Sequence, residues 1–141
     1  MPDRPPHLLL IDDDDVAVES VIRSLRKHDV TWPVVVAEDG NVGLQILRGQ
    51  HGEKNIPRPF LILLDLNMPR MNGFEFLQAV RTDSGLRDSV VFVLTTSSSD
   101  TDRARAYQES IAGYIVKSAV GPQFSKLARM LIEYRTTVSL P

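Results

Sequence analysis

The sequence predicts an α/β protein: a parallel sheet of five strands, doubly wound, with helices on both faces. Three observations lead there. Short runs such as Leu8–Ile11, Phe60–Leu64 and Val90–Leu94 are apolar without alternation, the pattern of strands buried on both sides. Between them lie segments whose apolar residues recur at helical spacing. Several of the strand runs stop at a polar or charged group, so chemistry gathers at one rim of the sheet.

Met1–Pro6 is a proline-rich lead-in, and Leu8–Ile11 is the first strand, closed by Asp12-Asp13-Asp14-Asp15. Val18, Val21, Ile22 and Leu25 then mark a helix whose acidic start suits the positive end of the helix dipole. Trp32 and Pro33 read as a turn with local packing. Val34–Ala37 is the second strand, ending at Glu38-Asp39-Gly40, and Val42, Leu44, Ile46 and Leu47 form a short helix that Gly43 weakens. Gly49–Pro59 has two prolines and no periodicity, so we expect it to be the most mobile stretch.

Phe60–Leu64 is the third strand and stops at Asp65. Pro69 bars further ladder pairing and restricts Met68, and Gly73 marks the turn into a helix carrying Phe74, Leu77 and Val80. Val90–Leu94 is the fourth strand, followed by Thr95-Thr96-Ser97-Ser98-Ser99-Asp100 and a weakly apolar helix over Thr101–Glu109. Gly113–Val116 is the fifth strand, ending at Lys117. The last helix starts near Pro122 and carries Phe124, Leu127, Ala128 and Leu131, with Thr136–Pro141 as a tail.

The chain of 141 residues is long enough for one domain with a sizeable core, and no composition break marks a second. Its net charge of −2 gives no electrostatic reason to expect nucleic-acid binding. The absence of cysteine rules out disulfides and thiolate zinc sites. No signal-peptide pattern or membrane-length apolar run is present, so we expect a cytoplasmic protein that does not insert in membranes.

Folded, the strand ends would bring together Asp12, Asp13 and Asp65, with the Thr95 hydroxyl and the Lys117 ammonium beside them. Three uncompensated carboxylates repel, and oxygen ligands of this kind suit a hard cation, Mg²⁺ or Mn²⁺. A carboxylate, a hydroxyl and an ammonium beside a divalent ion are the parts of phosphoryl transfer, with Asp65 as nucleophile. Each member alone has an ordinary explanation: a solvated helix start for the aspartates, a turn for Thr95, surface charge for Lys117. The acidic run lacks the glycine and glutamate of an EF-hand, no Gly-rich phosphate loop follows the first strand, and His7, His28 and His51 show no ligand spacing.

Asp12-Asp13 after LLLI, LILLDLNMPRMNG around Asp65, VLTTSS with Thr95, and YIVK with Lys117 together resemble the receiver domain of two-component response regulators. The resemblance covers about Leu8 to Tyr134, and implies a flavodoxin-like sheet ordered 2-1-3-4-5 with a core of about 7–135. It implies that Asp65 is the phosphoacceptor, and that Asp13, Asp65 and the backbone carbonyl of Asn67 hold Mg²⁺ directly, with Asp12 acting through water. It further implies that Thr95 and Lys117 bind phosphoryl oxygens, that Tyr114 is the aromatic switch, and that Asn67 and Ser97 tune attack by water. LLLDLNMPRMNGFEFL, VLTTSSSD and the long loop before the third strand are most similar to single-domain regulators partnered with phytochrome-type histidine kinases. Two positions depart from the family. Thr96 is bulkier than usual, and Ser118 replaces the proline after the lysine. The family's lysine–proline bond is cis; a non-proline cis bond costs about 2.5–4 kcal/mol, so we expect Lys117–Ser118 to be trans.

The resemblance implies a sensor histidine kinase as partner, output through surface contacts or onward relay to a phosphotransfer protein, and a homodimer through the fourth helix, fifth strand and last helix. We expect no room after Arg135 for a DNA-binding domain. A pseudo-receiver that only binds partners is the second reading. A haloacid-dehalogenase-type phosphatase is the third; it would want an aspartate where Asn67 stands.

Overall fold

A computed structural model of the chain describes residues 5–68, 70–121 and 124–141. The strands β1 (His7–Ile11), β2 (Val34–Ala37), β3 (Phe60–Leu64), β4 (Val90–Thr95) and β5 (Gly113–Val116) form one parallel sheet in the order β2-β1-β3-β4-β5. Between and after them run α1 (Asp15–Lys27), α2 (Gly40–Leu47), α3 (Gly73–Thr82), α4 (Asp100–Gln108) and α5 (Ser125–Thr137). This is the flavodoxin-like arrangement.

All five residues of β3 are buried. Because side chains alternate along a strand, Leu8, Leu10, Leu61 and Leu63 face α1 and α5, while Leu9, Ile11, Ile62 and Leu64 face α2 and α3. That two-sided burial is why the sequence reads as continuous apolar runs. Helix starts are fixed by side chains just past the strand ends: Asp14 accepts from Val16 and Ala17 N–H groups, Asp39 from Val42, and Ser99 from Asp102. Asn72 and Glu75 form a reciprocal capping box on α3. Each such cap stabilises by about 1 kcal/mol.

Some boundaries differ from the sequence expectation. β4 continues through Thr95, and α4 starts at Asp100 and ends at Gln108, since Ser99 supplies its cap. α5 begins at Ser125 because Phe124 adopts a left-handed φ of 57°, with its carbonyl held by the Ser24 hydroxyl at 2.8 Å. The expectations for Pro69 and Pro122 lie outside the described residues, as does most of the lead-in. Thr136 and Thr137 belong to α5, not to a tail; the Thr136 hydroxyl donates back to the Ile132 carbonyl, and Leu140 packs on the core beyond it. Gly43 weakens α2 by propensity but serves packing: a Cβ there would lie 2.7 Å from Ile11 Cδ1.

The Gly49–Pro59 connection has no regular structure. Its Lys54 ammonium donates to the Val36 carbonyl at 2.7 Å, covering part of the exposed edge of β2. Among the described residues no helix is long and apolar enough to cross a membrane.

Candidate functional site

The parallel register places the predicted residues on one rim. Asp12 follows β1 with its N–H on the Ala37 carbonyl (3.0 Å), and Asp65 follows β3 with its N–H on the Ile11 carbonyl (2.9 Å). Thr95 ends β4 opposite Val116, so Lys117 leaves β5 beside it. Asp12, Asp13 and Asp65 can each offer a carboxylate oxygen within 4.8 Å of the others. Lys117 Nζ lies 2.9 Å from Asp12 Oδ2 and 3.6 Å from Asp65 Oδ2. Asp12 and Asp65 are buried at 4% and 7% exposure, Thr95 is fully buried, and Asp13 opens to solvent.

Burial pushes the Asp12 carboxyl above its ordinary range; the Asp14 N–H and Lys117 pull it down without cancelling that, and the charge of Asp65 adds to the rise. For Lys117, burial disfavours the ammonium, but the hydrogen bond and charge of Asp12, with Asp65 and Asp14, outweigh it, and the group is held above its usual value. The buried pair therefore keeps Lys117 charged, while Asp12 remains the strained member.

Three carboxyl groups against one ammonium leave the cluster short of positive charge, a deficit that a divalent cation removes. All the side-chain donors are oxygens. With one oxygen from each carboxylate within 4.8 Å of the others, the set suits a small hard cation. Asp14 and Asp15 lie outside this cluster; Asp14 caps α1 and Asp15 is its first residue.

Asn67 is exposed, and its N–H points towards Asp65 Oδ1 at 3.4 Å. Thr96 is also exposed. Ser97 is engaged on three sides: its hydroxyl donates to Asp102 (2.7 Å), its carbonyl accepts from the Tyr114 hydroxyl (3.0 Å), and its N–H faces the Thr95 hydroxyl (3.4 Å). Tyr114 thus touches the loop that follows Thr95. Lys117–Ala119 forms a 3-10 turn, Ser118 is exposed, and the Lys117–Ser118 bond is trans, with Gly121 at φ 77° taking up the altered path.

Sequence reasoning missed Asp102, whose role in holding Ser97 has no local signature, and the pairing of Asp39 with Arg70 at 2.7 Å. In the sequence Asp39 shows only as part of the Glu38-Asp39-Gly40 run that closes the second strand; its partner across the fold has no local signature.

The family model for the response regulator receiver domain matches residues 8–129. Response regulator Rcp1 from Synechocystis sp. is 30% identical over 139 residues, 97% of this chain and 95% of that protein. Among solved structures, the Mn²⁺-bound form of Rcp1 aligns with a TM-score of 0.83 at 32% identity, covering 97% of this chain and 99% of that one. The phosphorylated cyanobacterial phytochrome response regulator RcpA aligns with a TM-score of 0.85 at 29% identity, over 98% and 99%.

Proposed function

The chain belongs to the response regulator receiver domain family, and we propose that it accepts a phosphoryl group on Asp65 from a histidine kinase. The observation that carries this is the convergence of Asp12, Asp13, Asp65 and Lys117 at one rim, with Asp65 buried yet within 3.6 Å of an ammonium. An Asp65 carboxylate oxygen attacks phosphorus, the P–N bond of the kinase phosphohistidine breaks, and the imidazole leaves with the electron pair. Lys117, hydrogen-bonded to Asp12 and 3.6 Å from Asp65, pairs with a phosphoryl oxygen, shifting from Asp12 as charge builds on the new acyl phosphate. The Thr95 hydroxyl donates to a second oxygen. The site fits Mg²⁺ or Mn²⁺, which Asp13, Asp65 and the Asn67 carbonyl would hold, with Asp12 acting through water; the ion would offset phosphoryl and carboxylate charge.

The likeness to the phytochrome response regulator RcpA supports a phytochrome-type kinase as donor. The chain works as a cytoplasmic receiver domain spanning 1–141, and output passes through its own surface or onward to the histidine of a phosphotransfer protein. Tyr114 couples Thr95 to that surface through Ser97. Water hydrolyses the acyl phosphate without a charged base, since Asn67 and Ser97 supply none, and Thr96 and Ser118 set access and the aim of Lys117. α4, β5 and α5 form a homodimer face, which a monomer by sedimentation at high micromolar concentration would overturn.

The direct test is labelling by acetyl phosphate with Mg²⁺, in which acetate is the leaving group. We expect stoichiometric, acid-stable and base-labile phosphate on the wild type and none on Asp65→Asn. Multiple turnovers into free phosphate at enzyme-like rates would favour a phosphatase instead. Folded protein that takes up no label would leave the pseudo-receiver reading.

A further inference from the structure

The connection from β3 to α3, described at residues 65–68 and 70–72, carries both Asp65 and the Asn67 carbonyl. Its near end is pinned to the sheet by the Asp65 N–H on Ile11, and Gly73 N–H closes back on the Leu66 carbonyl at 3.0 Å. Its far end rests on a different strand connection. Gly40 N–H, at the start of α2, donates to the Met71 carbonyl at 3.2 Å, and Arg70 Nη2 lies 2.7 Å from Asp39 Oδ2.

Asp39 is only 1% exposed, and its Oδ1 is committed to capping α2 through the Val42 N–H at 2.9 Å. Its Oδ2 is buried and receives no hydrogen bond of ordinary angle, so the charge of Arg70 is what offsets it. Arg70 reaches it from a left-handed backbone with φ of 63°, a conformation that residues with a Cβ seldom adopt. Gly40 allows the close approach: a Cβ there would stand 2.9 Å from Met71 Cγ and 3.0 Å from the Met71 carbonyl oxygen. An ordinary surface ion pair contributes little. Here one partner is buried, and losing the other leaves an uncompensated carboxylate. The cheapest relief is for water to enter between α2 and the loop, and the loop must part from α2 to admit it. Arg70 stands three positions after Asn67 in the same connection.

We propose that Asp39 and Arg70 are positioning residues, their ion pair clasping the β3–α3 loop to the start of α2 and so setting where the Asn67 carbonyl stands relative to Asp13 and Asp65. The proposal rests on the phosphoacceptor reading for its purpose, but its test does not depend on labelling.

The test is Mn²⁺ affinity, read from the loss of free-ion signal in electron paramagnetic resonance, alongside melting in metal-free buffer. Asp39→Asn keeps a capping oxygen for Val42 while removing the charge, and Arg70→Gly suits the left-handed backbone while removing the guanidinium. Each should weaken Mn²⁺ binding about tenfold, the lower end for groups that orient metal ligands, with the metal-free melting temperature held in Asp39→Asn and lowered in Arg70→Gly, which leaves the buried carboxylate unpaired. Arg70→Lys should recover most of the affinity. The Asp39→Asn, Arg70→Gly double variant should bind no more weakly than either single, because both break one contact. Unchanged affinity in both singles, additive losses in the double, or a loss in Asp39→Asn that merely follows a fall in its melting temperature would overturn the clasp. Asp65→Asn is the control: label on that variant would sink the phosphoacceptor reading, and the clasp would still be judged on Mn²⁺ affinity.

Discussion

The two rims of the sheet use charge in opposite ways. At the amino rim, Arg81 at the end of α3 donates to the carbonyls of Glu109 (2.7 Å), Ser89 (2.8 Å), Arg87 (2.9 Å) and Ser110 (3.0 Å). Arg26 spans the Val30 and Trp32 carbonyls, and Arg58 joins the Gly85 carbonyl to the Asp88 carboxylate. Guanidinium groups there satisfy loop carbonyls that no ladder reaches, which joins consecutive connections. At the carboxyl rim, Asp12, Asp13 and Asp65 are packed together with Lys117, Arg70 is given over to Asp39, and Asp12 is pushed up by burial. The amino rim commits its guanidinium groups mainly to neutral loop carbonyls, whereas the carboxyl rim is left short of positive charge, and that deficit is what a cation and a phosphoryl group can use. Stability and reactivity are thus assigned to opposite ends of the same strands.

The sharpest way to break this division is Gly73→Ala, at the carboxyl rim. A Cβ there would sit 2.6 Å from the Asp65 carbonyl oxygen and 2.7 Å from Leu66 Cα, both backbone atoms that cannot swing away. We expect about 3 kcal/mol of lost stability by urea denaturation, at the upper end for overpacking, together with lost Mg²⁺ binding. Labelling that survives at wild-type rate would show that the loop tolerates a shift we consider decisive.

Arg81→Ala probes the other rim. Losing a charged donor shared among four carbonyls, some of them solvated, should cost about 2 kcal/mol, while acetyl phosphate labels the folded fraction at an unaltered rate. A slowed rate per folded molecule would mean that the rims are coupled.

Asp13 and Asp14 bring the same contrast within two adjacent residues. Asp14→Ala removes the α1 cap and should lower stability by about 1 kcal/mol, yet Mg²⁺ should still raise the melting temperature. Asp13→Ala should leave metal-free stability nearly intact and abolish the Mg²⁺ shift, a stabilisation that in the wild type reaches about 2.7 kcal/mol at a hundred times Kd. Equal loss of the shift in both variants would mean that the acidic run is in a different register.

The smallest effect concerns pH. Asp12 has a raised pKa in the folded state, so the native protein holds a proton more tightly than the unfolded chain. Stability then falls as pH rises from the ordinary carboxyl value of 3.8 through the raised one. Differential melting of wild type and Asp12→Asn across that window, without metal, should show the wild type losing ground as pH rises. The raised pKa of Lys117 acts in the same sense but far higher, above 10.5, where the ammonium is lost. A difference that is flat with pH would remove Asp12 as the strained member.

Five apolar runs and the polar residues that end them were legible in the sequence because burial on both faces leaves no alternation and a parallel sheet aligns strand ends. From those residues came the strands, the cation-demanding rim and, through the motifs around Asp65, Thr95 and Lys117, the family. Helix ends were less legible: α5 starts where the Phe124 carbonyl meets Ser24 on α1, a contact between positions far apart in the chain. The same limit hid the Arg81 carbonyl cluster, the Ser97–Asp102 contact and the Asp39–Arg70 pair. The sequence by itself determined which groups reach the rim, because strand direction and period are local properties of the backbone. Only the tertiary structure decided which charges are offset, since Lys117 meets Asp12, and Arg70 meets Asp39, through space that no local pattern encodes.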